Sequence, residues 1–119
     1  MREAAMASLT VSFYTHAPFT VVELAGELQH ATSPGAEAQI LDTMGAAGGP
    51  VRLVLNLTGV TFLDSGGVNL LAKTSRAVRA GNGTLSCVAP AGSRPDRVLT
   101  VTGFNQFMKV YQTVSEAVS

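Results

Sequence analysis

The stretch Phe62-Leu63-Asp64-Ser65-Gly66-Gly67-Val68-Asn69-Leu70-Leu71 decides how this chain folds. An apolar run from Val51 to Leu57 precedes it and is typical of a central strand that is covered on both faces. An amphipathic pattern follows it and predicts a helix from about Gly66 to Ala80. An Asp-Ser pair therefore lies where a loop becomes the N-terminus of a helix, beside two glycines.

The segments on either side alternate between strand and helix signals. Period-two alternation predicts strands around Leu9–Tyr14 and Phe19–Leu24, joined as a hairpin, with a polar loop after Leu28. The pair Ser33-Pro34 predicts a helix that Ser33 caps, with Ile40, Leu41 and Met44 on its buried face and its end at the glycines of 45–49. Further signals predict strands at Thr84–Ala89 and Phe107–Tyr111, a helix from a Ser93 cap to Gly103, and a terminal helix that begins at a Thr113–Glu116 capping box. The order β-β-α-β-α-β-α-β-α predicts an α/β fold with a partly parallel sheet.

Composition limits the classes of function. At 119 residues, the chain fits one domain with a single core, and its 46% hydrophobic content predicts a globular protein. Eight basic residues balance eight acidic ones without clustering, so we expect no nucleic-acid partner. The apolar runs are shorter than the roughly 18 residues of a spanning helix, so we expect no membrane association. The lone cysteine, Cys87, fits a reducing cytoplasm and a structural role in a buried strand.

The Asp64-Ser65 pair is open to two interpretations. Serine and aspartate are the preferred N-caps of helices, so either residue could serve only to cap the helix. Alternatively, Ser65 is a phosphoacceptor. A phosphate there would meet free backbone N–H groups and the positive end of the helix dipole, while Asp64 would repel it. Such a site could act as a switch.

No other feature indicates catalysis or a cofactor. Both histidines, His16 and His30, lie in predicted loops, whereas a serine nucleophile needs a histidine within hydrogen-bond reach and a third group that orients it. The motif also lacks the Gly-x-Ser-x-Gly pattern, so a small serine hydrolase or transferase is the less favoured alternative. Neither metal-ligand spacing nor a phosphate-binding glycine pattern is present. We therefore expect a protein that is not an enzyme and uses no metal and no cofactor.

Three blocks of the sequence resemble the STAS domain family, and within it the bacterial anti-sigma factor antagonists. Leu24-Ala25-Gly26-Glu27-Leu28 is similar to the family's Leu-x-Gly-Glu-Leu after the second strand. The segment Leu53 to Leu71 resembles the central strand, the phosphorylation loop and the following helix, and Thr102-Gly103-Phe104 with Phe107-Met108-Lys109-Val110 resembles the C-terminal block. The resemblance implies a single STAS-like α/β domain over residues 1–119. It also implies a mixed sheet of four to five strands, with about four helices mainly on one face.

The resemblance also implies a function, that of a cytoplasmic binding module rather than an enzyme. Such proteins bind an anti-sigma factor, often a serine kinase of the histidine-kinase-like ATPase type, and thereby free a sigma factor. Phosphorylation by that kinase ends the binding, and a phosphatase resets the switch. The alternative within the family is a STAS scaffold or subunit that is not phosphorylated and regulates another process, such as transport.

The sequence departs from the family pattern at three positions. The acid that often precedes the loop in the central strand is Asn56, the acid often found after Gly-Glu-Leu is Gln29, and the third departure is in the loop itself. The family's Asp-Ser-Ser/Thr-Gly reads Asp-Ser-Gly-Gly here, so Ser65 is the only hydroxyl of the loop. Either Ser65 is the phosphorylation site, or Gly66 has removed the switch and the chain binds its partner constitutively. We predict a partner-binding surface made of Asp64, Ser65, Gly66, Gly67, Asn69, Lys73 and Arg76.

Overall fold

A computed structural model describes residues 8–119 and shows an α/β fold. The chain forms, in order, β1 (Leu9–His16), β2 (Phe19–Leu28), α1 (Ser33–Ala47), β3 (Arg52–Leu63), α2 (Ser65–Ala80), β4 (Thr84–Val88), α3 (Arg94–Thr102), a 3-10 turn (Phe104–Gln106), β5 (Lys109–Tyr111) and α4 (Val114–Ala117). The element order predicted from the sequence is therefore confirmed.

The five strands form one mixed sheet in the order β1-β2-β3-β4-β5. The first two strands form the predicted antiparallel hairpin, and the pairs β2–β3, β3–β4 and β4–β5 are parallel. Because β2 and β3 are parallel neighbours whose last residues, Leu28 and Leu63, pair with each other, the segments that follow them leave the sheet at the same edge. This topology positions the site.

The core lies on both faces of the sheet, and the larger part is under three helices. Alternate residues of β3 point to opposite faces. Leu55 belongs to the larger cluster, together with Ile40 of α1, Leu71 of α2 and Leu99 of α3. Val54 belongs to a smaller cluster on the other face, which the short helix α4 covers. The expectation of a mixed sheet of four to five strands, with about four helices mainly on one face, is thus confirmed.

Two strands extend several residues further along the sequence than was predicted. The sequence predicted that β2 would end at Leu24 and β3 at Leu57, but they end at Leu28 and Leu63. The two strands pair with each other over these extra residues, with register irregularities after Glu23 and after Gly26. Strand pairing therefore extends both strands beyond the ends that the local patterns predicted.

The start of α1 also differs from the prediction. Thr32 occupies the N-cap position without a side-chain capping bond, and Ser33 is the first helical residue and is buried. On the predicted buried face, Ile40 is buried, whereas Leu41 is exposed. By contrast, the Ser93 cap and the Thr113–Glu116 capping box form as predicted.

Cys87 is fully buried in β4, as the sequence predicted. Burial raises the pKa of the Cys87 thiol to about 12, because a thiolate would lose its hydration in the core. The thiol therefore stays protonated near neutral pH and has a structural role.

Candidate functional site

The helix α2 is capped by Asp64, not by Ser65. One carboxylate oxygen of Asp64, Oδ1, accepts hydrogen bonds from the backbone N–H groups of Gly66 at 2.8 Å and of Gly67 at 3.3 Å. This corrects the expectation that a phosphate on Ser65 would find these N–H groups free. It also leaves the Ser65 side chain exposed and uninvolved in capping.

The loop between β2 and α1, residues 29–32, lies directly against the start of α2. The backbone N–H of Asp64 donates to the carbonyl of Leu28 at 3.3 Å, and the backbone N–H of His30 faces Asp64 Oδ2 at 3.5 Å. A Cβ atom on Gly66 would lie 2.6 Å from the backbone nitrogen of His30 and 2.8 Å from its Cα. The loop can therefore approach this closely only because residue 66 is glycine.

This approach brings His30 to the serine of the motif. The imidazole Nε2 of His30 lies 3.0 Å from Oγ of Ser65, within hydrogen-bond distance. Both residues are exposed to solvent. Sequence reasoning placed His30 only in a loop and missed this contact. The signal that could have found it is topological, since loops that follow neighbouring parallel strands meet at one edge of the sheet.

Among the described residues, the contact lacks two features of a serine-hydrolase site. In the described part of the chain no hydrogen bond joins the other ring nitrogen of His30 to a carboxylate, so nothing orients the imidazole as in a triad. The N–H groups of Gly66 and Gly67, which lie next to the serine, are occupied by Asp64 and cannot serve as an oxyanion hole. The arrangement holds the serine hydroxyl at the surface without the donors that acyl transfer needs.

The structure separates the predicted partner-binding residues into two groups. Gly66 and Gly67 are buried, and a Cβ on Gly67 would lie 2.8 Å from the carbonyl oxygen of Leu28. These two glycines therefore allow close packing, and Gly66 also lines the groove beside this surface. Asp64 is half-buried. The exposed members are Ser65, Asn69, Lys73 and Arg76.

A groove runs beside this surface between α1 and α2. Its volume is about 410 Å³, and His30, Gly66, Asn69 and Lys73 lie along one part of it. On the α1 side, Glu37 Oε1 lies 3.7 Å from Lys73 Nζ. Ser33 also lines the groove and is only 6% exposed, and its hydroxyl has no hydrogen-bond partner among the described residues. The groove thus combines an imidazole and an ion pair.

The described helices include none that is long and apolar enough to cross a lipid bilayer. Within residues 8–119, no three His, Cys, Asp or Glu side chains are grouped so that they could hold a metal ion.

The fold and this site define a class, that of small α/β domains that present a serine at the start of a helix. The family model described as "STAS domain" matches residues 10–117, which is almost the whole chain. The chain belongs to the STAS domain family.

The chain is similar to proteins that are described as anti-sigma factor antagonists. It is 29% identical to the anti-sigma-F factor antagonist RsfB of Mycobacterium tuberculosis over 112 residues, which cover 94% of this chain and 88% of that protein. The crystal structure of an anti-sigma factor antagonist from Mycobacterium paratuberculosis is 30% identical, with a TM-score of 0.80 and coverage of 93% of this chain and 92% of that one. SpoIIAA of Bacillus in its unphosphorylated form shares the fold at 24% identity, with a TM-score of 0.72 and coverage of 92% and 93%.

Proposed function

We propose that this protein is an anti-sigma factor antagonist, which binds an anti-sigma factor and thereby frees a sigma factor. The observation that carries the proposal is the match to the Mycobacterium paratuberculosis antagonist, which holds over more than nine-tenths of both chains at 30% identity. The family is one of regulatory binding proteins, and this chain acts by binding rather than by catalysis.

The partner contacts a surface at the start and along one face of α2. Ser65, Asn69, Lys73 and Arg76 are exposed there, and Asp64 is fixed beside them by its capping bonds. Asn69, Lys73 and Arg76 follow helical spacing and so share one face. This continuous polar face lies opposite the apolar face that packs on the sheet, as a docking surface requires.

The partner is an anti-sigma factor that is also a serine kinase of the histidine-kinase-like ATPase type, and Ser65 is its phosphorylation site. Ser65 is exposed, and Gly66 leaves no second hydroxyl in the loop. A phosphate on Ser65 brings about two negative charges to the contact surface and disrupts binding by desolvation and repulsion. A phosphatase restores the binding form. The protein works in the bacterial cytoplasm.

A reconstituted transcription assay tests the binding function. Transcription by RNA polymerase with the cognate sigma factor is inhibited by the anti-sigma factor, and adding this protein should restore it. Arg76→Glu should restore it less well. Arg52→Glu is the matched control, because Arg52 is equally exposed but lies at the opposite end of β3 from Asp64. If the wild-type protein restores no transcription with any anti-sigma factor of its host, the proposal is wrong.

Phosphorylation is tested separately by intact-mass measurement. Incubation with the kinase and ATP should add one phosphate to the wild-type protein and none to Ser65→Ala. If no mass is added while the kinase modifies another substrate, the protein binds its partner constitutively. That result would contradict the phosphorylation of Ser65 but not the binding function.

A further inference from the structure

A phosphate on Ser65 would meet an unusual environment at the start of α2. The two N–H groups of Gly66 and Gly67 already bond to Asp64 Oδ1, so these donors of the first turn are not available. The Asp64 carboxylate beside them adds like charge. If nothing else faced the serine, its phosphate would be repelled and unbound.

His30 is the group that faces the serine from the neighbouring loop. Its Nε2 lies 3.0 Å from Ser65 Oγ, so a phosphoryl oxygen on that Oγ falls within reach of the imidazole. The loop is held there by backbone contacts. The backbone N–H of His30 faces Asp64 Oδ2, and Gly66 has no side chain to displace it. The loop backbone therefore places the imidazole beside the serine before any modification.

The groove next to His30 provides room and further polar groups. It has a volume of about 410 Å³ and is lined by His30, Gly66, Asn69 and Lys73. Ser33, which is 6% exposed, also lines it, and its hydroxyl is unpaired among the described residues. A buried hydroxyl without a partner is unusual, because leaving it unpaired costs free energy.

We propose that the mouth of this groove is a binding site for the phosphate carried by Ser65, with the His30 imidazole as its first ligand. The inference rests on the proposed function in one respect, the choice of Ser65 as the modified residue. In its protonated form, His30 donates Nε2–H to a phosphoryl oxygen and offsets the charge of Asp64. The replacement of the family's second hydroxyl by Gly66 is what admits the imidazole to this position.

The charged groups around His30 are consistent with this assignment. Asp64, which caps α2, faces the loop. Lys73 of α2 and Glu37 of α1 line the groove. Glu37 lies 3.7 Å from Lys73, so these two charges largely cancel. Asp64 is therefore the remaining carboxylate beside the loop.

The test places phosphoserine at position 65 of the full chain during translation, by suppression of a stop codon, so that no kinase is needed. The ionisation of the phosphate is then followed by ³¹P NMR between pH 4 and 9. The same measurement is made with His30→Gln, with His30→Asn as a second variant, and with His16→Gln as the matched control. His16 is also an exposed histidine, but it lies at the end of β1.

The protonated imidazole favours the phosphate dianion. The midpoint of the phosphate titration should therefore lie lower, by about 0.5 pH unit, in the wild-type and His16→Gln backgrounds than in either His30 variant. Equal midpoints in all four proteins would overturn the proposal. Because the phosphate is installed without a kinase and no partner is present, the result does not depend on whether the antagonist function is correct.

Discussion

The replacement Gly66→Ala tests the packing that holds the site together. The new Cβ would lie 2.6 Å from the backbone nitrogen of His30, 2.8 Å from its Cα and 3.0 Å from the carbonyl carbon of Gln29. Ordinary contacts of this kind begin at 3.4 Å. All three are backbone atoms, which cannot rotate away, so the loop of residues 29–32 must retreat by roughly 0.8 Å to reach ordinary contact distance.

The expected loss of stability follows from two opposing terms. Overpacking of a close contact costs about 1–3 kcal/mol. Alanine is favoured over glycine inside a helix by up to about 1 kcal/mol, although Gly66 lies in the first turn, where this gain is smaller. The free energy of unfolding should therefore fall by about 1–2 kcal/mol. Gly66→Ser, which restores the family's second hydroxyl, should behave similarly.

Urea unfolding measured with Gly35→Ala as the control separates the steric term from helix propensity. Gly35 lies in the first turn of α1, and a Cβ there would meet no atom within 4 Å, so this variant should be as stable as the wild type or slightly more stable. NMR shifts in the Gly66 variants should change most at Gln29 and His30. If Gly66→Ala is as stable as the wild type, the close approach of the loop described here is incorrect.

Four further predictions concern the surface, the cap, the thiol and the switch. Lys73→Glu or Arg76→Glu should weaken binding to the anti-sigma factor by at least about fivefold in calorimetry, as a loss of about 1 kcal/mol implies, while the melting temperature stays close to that of the wild type; unchanged affinity in both would exclude this surface. Asp64→Ala removes the acceptor of two N–H groups and should lower the free energy of unfolding in urea by about 1–2 kcal/mol. Burial keeps the Cys87 thiol protonated, with its pKa raised to about 12, so a disulfide reagent at pH 8 should label it only after denaturation, and rapid labelling of the folded protein would contradict its burial. Ser65→Asp should weaken partner binding less than phosphorylation does, since one carboxylate carries less charge than a phosphate, whereas Ser65→Ala should retain affinity because its hydroxyl does not cap α2.

The order of elements could be predicted because each depends on local signals. The alternation of Leu9, Val11 and Phe13, the Ser93 cap and the Thr113–Glu116 capping box all lie within a few residues of the structure they specify. The far ends of β2 and β3 could not be predicted, because their stability comes from pairing between Leu28 and Leu63. Such pairing joins residues that are distant in sequence and is not visible in either segment alone.

The candidate site could be predicted only in part, because some of its features are local in sequence and others depend on contacts between distant residues. The Asp64-Ser65 pair at the start of a helix is a local pattern, and its placement was correct. The contact between His30 and Ser65 joins residues 35 positions apart, so no local spacing indicates it. The buried positions of Gly66 and Gly67 likewise depend on how closely the preceding loop packs, whereas the sequence indicated only that glycine was present.

The bonds from Asp64 to the first turn of α2 have a consequence for how the protein meets a partner. They hold the Ser65 backbone in one conformation before binding, so association needs little ordering of this segment and loses less conformational entropy. Complexes of such preorganised surfaces form with backbone shifts of about 1 Å or less. Any modification of Ser65 then changes the charge of a segment that is already ordered, and so acts on docking without refolding this part of the protein.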